Sequence, residues 1–486
     1  MSVHHYIACD LGAESGRVML GTLADGKLSL EQIHRFANSP VRVNGALHWD
    51  VLRLFDELKI GVGKIAARGV TPDGLSCDSW GVDYVWVKDG APFLTPPFHY
   101  RDAARNAGAF DRAFAVVPAD MIFAETGIQF MTINTLYQLH DDLQRRPWIF
   151  KTADRFLPIG DYFNFLFSGV AKSEESLAST TQLYNPRKHG WSKKLMRGFK
   201  LAKKVFPAVV PSGTVLGPLL PDYTLPATQA IATCSHDTGA AVAAVPAQGK
   251  SWAYLSSGTW SLLGVELKKP IINEKSRQYN FTNEVGFGGR IRFLKNIIGL
   301  WIQQECRRAW LKEGREFSYE QLGALAAQTA PLNALINPNA EPFAKPENMP
   351  QKIADFCRAT GQTPPVNEGE FIRCILESLA LLYRRTLDQL EDVTGQRIGT
   401  LHIVGGGSQN KLLNQLSANA TGRTVIAGPA EATATGNVLL QAIALGHLKD
   451  LDELRAVVRA SFEVTVFKAQ QPEVWTKAYE RFQELA

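Results

Sequence analysis

A chain of 486 residues exceeds what one hydrophobic core organises, and at roughly 100 to 200 residues per domain two to four domains are expected. Hydrophobic residues at 45% and charged residues at 20% exclude a disordered or fibrous chain. A net charge of +5 is too mild to mark a nucleic-acid binder, and the densest basic run, KKLMRGFKLAKK (193–204), has the spacing of a solvated helix face.

The six cysteines (Cys9, Cys77, Cys234, Cys306, Cys357, Cys374) are scattered, with no C-x-x-C pair and no zinc-ligand spacing, which suits a reduced compartment. The opening MSVHHYIACDLG shows neither a cationic leader nor a sustained apolar core, and no apolar run reaches the roughly 18 residues that span a bilayer. The expectation is a cytoplasmic protein that binds neither membrane nor nucleic acid, with monomer and dimer both open.

In chain order, 6–9 reads as a buried strand, followed by the turn DLGAESGR (10–17) and a second strand at 18–23. Asp50 is placed to cap a helix with Leu54, Phe55, Leu58, Ile65 and Ala66 on one face, and Gly69 lies just beyond it. A strand region follows in GLSCDSWGVDYVWVKDG (74–90), where Asp89-Gly90 marks a hairpin turn. The stretch 370–390 has the periodicity of a long amphipathic helix. After it come a strand at 401–404, the triple glycine 405–407, a helix opening near Asn410, a strand at 425–427 and a small-residue helix through EATATGNVLLQAIALG. This alternation is that of an α/β protein whose glycines sit at the carboxyl end of a strand, where open sheets bind ligands. The segments 6–21 and 254–264 are each strand, Gly/Ser turn, strand, so they read as the opening hairpins of two domains with a boundary near 247.

Three turns are chemically loaded. DLGAESGR ends a strand with an acid and then offers backbone amides, hydroxyl and guanidinium groups, the donors a phosphate needs, although it is neither a Walker A nor a Rossmann glycine motif. Its plain alternative is a glycine hairpin with a solvated arginine. SSGTWS (256–261) is a second such turn, and Gly405 to Gly407 would admit a flat adenosine or else form a flexible loop. In CSHDTGAA (234–241) a carboxylate sits between imidazole and hydroxyl ahead of small residues; Asp237 is either a working base or a helix N-cap. Asp78 and Asp83 flank Trp80 and Gly81 as sugar ligands or structural acids, and Trp80 suits a core better than a sugar platform. Nothing marks Cys77 or Cys234 as nucleophiles.

Together with DSWGVDY, HYRD, GIQF, NTLYQL, TTQLYN, SHDTGAAV, YLSSGTWSLLG, KNIIGLW, NPN, LHIVGGGSQN and AGPAEATATGN, running in order from residue 10 to residue 437, these motifs resemble the FGGY carbohydrate kinases of the actin-like ATPase superfamily. The resemblance implies an α/β fold of two actin-like (ribonuclease H-like) ATPase domains with an interdomain cleft. Residues 1–246 would hold the sugar site and first phosphate loop, and 247–486 the nucleotide site and a C-terminal tail. It implies ATP-dependent phosphorylation of a small-molecule ketose, L-rhamnulose at O1 being expected ahead of L-fuculose or another ketose or polyol. Position by position it makes Asp237 the catalytic base and Ala13, Glu14, Ser15, Gly16 and Arg17 the first phosphate loop. Thr259, Gln304 and Gly405 become further ATP contacts, while Gly81, His236, Thr238 and Asn296 become the sugar site. Asp10 becomes a magnesium-associated acid acting through water, with Mg2+ accompanying ATP.

Two departures from the family pattern bear on substrate choice: Cys77 and Ser79 stand where an aliphatic residue and threonine are expected, and FMTINTL (130–136) is altered. Such changes shift discrimination by about 1–3 kcal/mol without changing the reaction. The rival classes are an actin-like nucleotide-switching ATPase that needs no sugar, and a carboxylate-pair glycoside hydrolase that needs no ATP. Residues 310–350 suggest no role.

Overall fold

The computed structural model describes residues 3–90 and 96–485. The chain divides into two compact units. The first contains the chain up to Pro246 together with Glu266–Phe293 and Ala432–Ser461; the second contains Ala247–Val265, Leu294–Glu431 and the chain from Phe462 onward.

In the first unit a six-stranded sheet runs, edge to edge, through Thr214–Pro218, Gln229–Ala232, Gly74–Ser79, His4–Leu11, Ser15–Ala24 and Lys27–Ala37. His4–Leu11 pairs antiparallel with Ser15–Ala24 and parallel with Gly74–Ser79, which pairs parallel with Gln229–Ala232. From Tyr6 onward the first strand is buried on both faces, as a strand covered by helices on each side must be. Its odd residues Ile7, Cys9 and Leu11 join a core with Leu54, Leu58 and Ile65 of the helix Val51–Ala66. That helix starts where expected, because the Asp50 side chain accepts the Arg53 N–H at 3.1 Å. Toward the other face the helix Ala432–Ala444 docks so closely that Gln441 Nε2 donates to the Ile7 carbonyl at 2.9 Å.

The second unit repeats the plan. Trp252–Ser257 pairs antiparallel with Trp260–Leu267 and parallel with Thr400–Val404, followed in the sheet by Thr424–Ala427 and Thr465–Phe467. The expected long helix is Glu368–Thr394, capped by Asn367 at its start and by Gly395, with φ 67°, at its end. The helix Lys411–Thr421 opens at Asn410, whose side chain accepts the Leu413 N–H at 3.0 Å.

Two local expectations need revision. Residues 193–204 do not form one helix: Lys193–Gly198 is helical, then Lys200 takes φ 55° and Phe199 and Leu201 anchor the reversed chain in a core. Asp89 and Gly90 do turn with positive φ, but Tyr84–Val87 pairs with Arg155–Pro158, and the second arm of the expected hairpin falls at 91–95, outside the described residues. All six cysteines are buried thiols. Among the described residues no helix is long and apolar enough to cross a membrane.

Glycine serves opposite ends in this fold. A Cβ on Gly436 would overlap the Ala240 carbonyl where Ala432–Ala444 crosses Asp237–Ala243, whereas Gly63, exposed within Val51–Ala66, faces open space. Gly436→Ala is therefore expected to destabilise by about 3 kcal/mol through overpacking, and Gly63→Ala to stabilise by about 0.5–1 kcal/mol through helix propensity. Urea unfolding midpoints of the two variants, moving in opposite directions, check this.

Candidate active site

Parallel pairing places three acids side by side at the carboxyl ends of adjacent strands of the first unit. Asp10 and Asp78 are register partners, and Ser79 bridges to His236, next to Asp237. Asp10 is 4% exposed and Asp78 fully buried, while the Asp237 side chain retains 27% exposure. Like charges this close cannot all persist without compensation. The Asp78 carboxyl is pushed well above the carboxylate range, first by burial and then by Asp10, with a smaller push from Asp237. Asn437 Nδ2 donates to its Oδ2 at 2.6 Å, which leaves Oδ1 to carry the proton. Asn437 is held in turn by Gln441, whose amide donates to its Oδ1 at 2.7 Å.

Asp10 is balanced differently. Arg17, its partner across the hairpin, donates to Oδ2 at 2.5 Å. The intervening turn is stitched by the Gly12 N–H to the Ser15 carbonyl and pinned by Asn38, whose amide donates to the Gly12 carbonyl at 2.9 Å while its own N–H donates to Glu14. Gly16 is glycine for space, since a Cβ there would overlap the Phe36 ring. Ala13 and Ser15 are half-buried and Glu14 is exposed.

His236, not Asp237, is the N-cap of the helix Asp237–Ala243. Asp237 Oδ1 accepts the Thr238 N–H at 2.5 Å and the Thr238 hydroxyl at 3.1 Å. Burial raises the Asp237 pKa, His236 lowers it, and Asp10 raises it further. The buried Arg292, which also donates to the Val285 carbonyl, lies with Nη2 3.0 Å from His236 Nδ1 and Nη1 3.2 Å from Glu284. A guanidinium only donates, so Nδ1 accepts and the imidazole proton sits on Nε2, 3.5 Å from Asp237 Oδ1. The histidine thus points a fixed N–H toward the acid.

Gly81 lies close under Thr180, where a Cβ would come within 3.1 Å of its hydroxyl. Asp83 is structural: Trp49 Nε1, Trp80 Nε1 and the Tyr100 N–H donate to Oδ2, and Gln138 donates to Oδ1 at 2.9 Å. Burial pushes it up to about 6 against these four bonds. Trp80 is core, its ring centroid 4.2 Å from that of Trp49. The departures at Cys77 and Ser79 are fully buried as well; Asn164 clasps both backbone groups of Cys77, and the Ser79 hydroxyl donates to the Trp80 carbonyl.

In the second unit, the turn after Trp252–Ser257 gathers three of the expected nucleotide residues. Gln304 Nε2 donates to the Thr259 hydroxyl at 3.2 Å, and the Gly299 and Trp301 N–H groups donate to the Thr259 carbonyl. Gly405, with φ 82°, and Gly407 pack on Ser257, where a Cβ on either would press the strand end, so the triple glycine is a packed turn and not a flexible loop. Asn296 stands half-buried on Ile291–Ile298, beside Lys295, whose pKa burial lowers to about 8.

Asn38, Glu284, Arg292 and Asn437 were not singled out in the sequence, though each organises an expected site residue. The available signal was a lone opposite charge in each of two otherwise uncharged or apolar strand segments, Glu284 in TNEV and Arg292 in IRFL.

The N-terminal domain model of the FGGY family of carbohydrate kinases matches residues 6–244, and the C-terminal domain model matches 253–445. A rhamnulokinase of Bacteroides thetaiotaomicron is 39% identical over 482 residues, covering 98% of each chain, and one of Bacillus subtilis is 40% identical over 466 residues, covering 95% of each. Among solved structures, a xylulose kinase from Lactobacillus acidophilus superposes with TM-score 0.81 at 16% identity, covering 99% of this chain and 97% of that one. Plasmodium falciparum glycerol kinase with ADP does so with TM-score 0.80 at 15% identity and the same coverage. The two repeated strand-hairpin sheets are accordingly those of the actin-like fold, and the chain belongs to the FGGY family of carbohydrate kinases.

Proposed function

We propose that this carbohydrate kinase transfers the γ-phosphoryl group of ATP to O1 of L-rhamnulose, with Asp237 as general base. The sugar oxygen attacks the γ-phosphorus, the bond to the β-bridging oxygen breaks to release ADP, and the hydroxyl proton passes to Asp237. The observation that carries this reading is a partly exposed Asp237 that the His236 N–H orients and whose pKa burial raises in spite of His236, because a more basic, oriented carboxylate is the better proton acceptor. The choice of sugar is supported by relatives named rhamnulokinase that align over 95% or more of this chain. The burial of Cys77 and Ser79 in the core argues against their redirecting substrate choice toward L-fuculose.

The remaining roles follow as proposals. Gly81, His236, Thr238 and Asn296 bind sugar hydroxyls; Ala13 to Arg17 hold the triphosphate through turn amides; Thr259, Gln304 and Gly405 bind the nucleotide. Residues 1–246 and 247–486 are then the two functional halves, with Glu266–Phe293 and Ala432–Ser461 of the latter packing in the first compact unit. With Asp78 protonated, Asp10 and Asp237 are the carboxylates left to face a magnesium ion, which prefers oxygen donors. Asp10 would hold the ion through its waters, and the bound ion would offset charge on the β- and γ-phosphates. Six buried, unpaired thiols suit a cytoplasmic location.

A coupled ADP-release assay over rhamnulose, fuculose, ribulose, xylulose and glycerol tests the substrate. Turnover highest with rhamnulose is expected, and equal turnover without any sugar would favour the nucleotide switch. Asp237→Asn should lower kcat by about two orders of magnitude or more while ATP binding persists; full activity removes Asp237 from its role. Thr259→Val, which loses the Gln304 anchor, should raise KM for ATP several-fold, and an unchanged KM counts against that contact.

A further inference from the structure

At the opposite end of the first sheet, His4, Asp73 and His447 converge, with one ring nitrogen from each histidine and one carboxylate oxygen all within 4.8 Å of one another. This is the one such group among the described residues. We propose that the trio is a binding site for a divalent transition-metal ion of the zinc type, separate from the phosphoryl-transfer residues. Asp73 immediately precedes the strand Gly74–Ser79, and at about 3.3 Å per residue it lies about 17 Å from Asp78 at the other end.

The His4–Asp73 spacing suits tetrahedral ligation. Two ligand atoms about 2.0–2.1 Å from a shared tetrahedral zinc stand about 3.3 Å apart. His4 Nδ1 and Asp73 Oδ2 are 3.3 Å apart, long for a hydrogen bond. The His4 and His447 rings stack with centroids 3.6 Å apart and planes inclined at 22°, whereas a shared tetrahedral ion would hold them about 5 Å apart, so binding turns one ring out of this stack. Two of the three ligands also have a support that fixes their direction. The backbone N–H of His5 donates to Asp73 Oδ2 at 3.1 Å, and the fully buried Tyr6 places its hydroxyl 2.7 Å from His447 Nδ1. With Nδ1 engaged, Nε2 of His447 is the ligand atom, the outer-sphere arrangement that orients metal-binding imidazoles.

Two imidazoles and one carboxylate select a zinc-type ion over magnesium, which prefers oxygen donors, so the ion that accompanies ATP does not compete. An ion here would tie the first strand to the segment just beyond Ala432–Ala444, the helix that supplies Asn437 to the acidic cluster.

The test uses the full chain, stripped with EDTA, desalted and titrated with zinc chloride by calorimetry and with cobalt chloride by visible absorbance. One zinc per chain is expected. His4→Gln and His447→Gln should each weaken binding at least tenfold and abolish the cobalt bands. Tyr6→Phe, which keeps every ligand, should weaken zinc binding by about ten- to a hundredfold. Sugar phosphorylation with magnesium-ATP should be unchanged in His447→Gln. No zinc uptake by the wild-type chain, isotherms of both histidine variants superimposable on wild type, or loss of phosphorylation in His447→Gln would overturn the proposal.

Discussion

Mutual repulsion among neighbouring carboxylates is the constraint around which the first unit is built. Parallel pairing of His4–Leu11 with Gly74–Ser79 forces Asp10 against Asp78, and the bridge from Ser79 to His236 brings Asp237 to the same edge. Each acid is given a different solution. Arg17 pairs with Asp10, burial and the neighbouring Asp10 charge hold Asp78 in its neutral form against the Asn437 hydrogen bond, and Asp237 is left partly open to solvent with a histidine N–H alongside. Pushing the three environments apart separates one neutral buried acid from one charge-paired acid and one solvent-facing carboxyl, the pattern by which acid-base roles can be divided at pH 7.

The supporting residues reach that edge from distant parts of the chain. Asn437 arrives on Ala432–Ala444, late in the sequence yet packed in the first unit, and the close crossing at Gly436 sets the depth at which it sits. Arg292 and Glu284 set the tautomer of His236 from the strands that follow the second hairpin. Asn38 fastens the turn from Gly12 to Ser15 from the far end of the third strand. A rigid outer layer of this kind is what holds a reacting group in position, because small displacements at such sites cost orders of magnitude in rate.

Local pattern in the sequence was sufficient for the hairpins at both unit starts, the Asp50 and Asn410 caps and the long helix around 370–390, since each depends on spacing and on a capping side chain. Thr259 and Gln304, which the family resemblance rather than local pattern put together, hydrogen-bond to each other. Local pattern failed at 193–204, where helical spacing continues past Gly198 but Phe199 and Leu201 find better burial by reversing the chain. Asn437, Arg292 and Glu284 were illegible for another reason: their meaning lies in partners tens to hundreds of residues away, and one buried polar residue in an apolar element does not announce its partner. His4, Asp73 and His447 have the same character, separated widely in sequence and joined only by the sheet.

The central claim is that Asp237 receives the sugar proton from an environment that has raised its basicity. The dependence of kcat/KM for the sugar on pH measures this in the free enzyme. The account predicts an acid limb falling about tenfold per pH unit, with a midpoint above the ordinary aspartate value of about 4. A profile still level at pH 4 would contradict it.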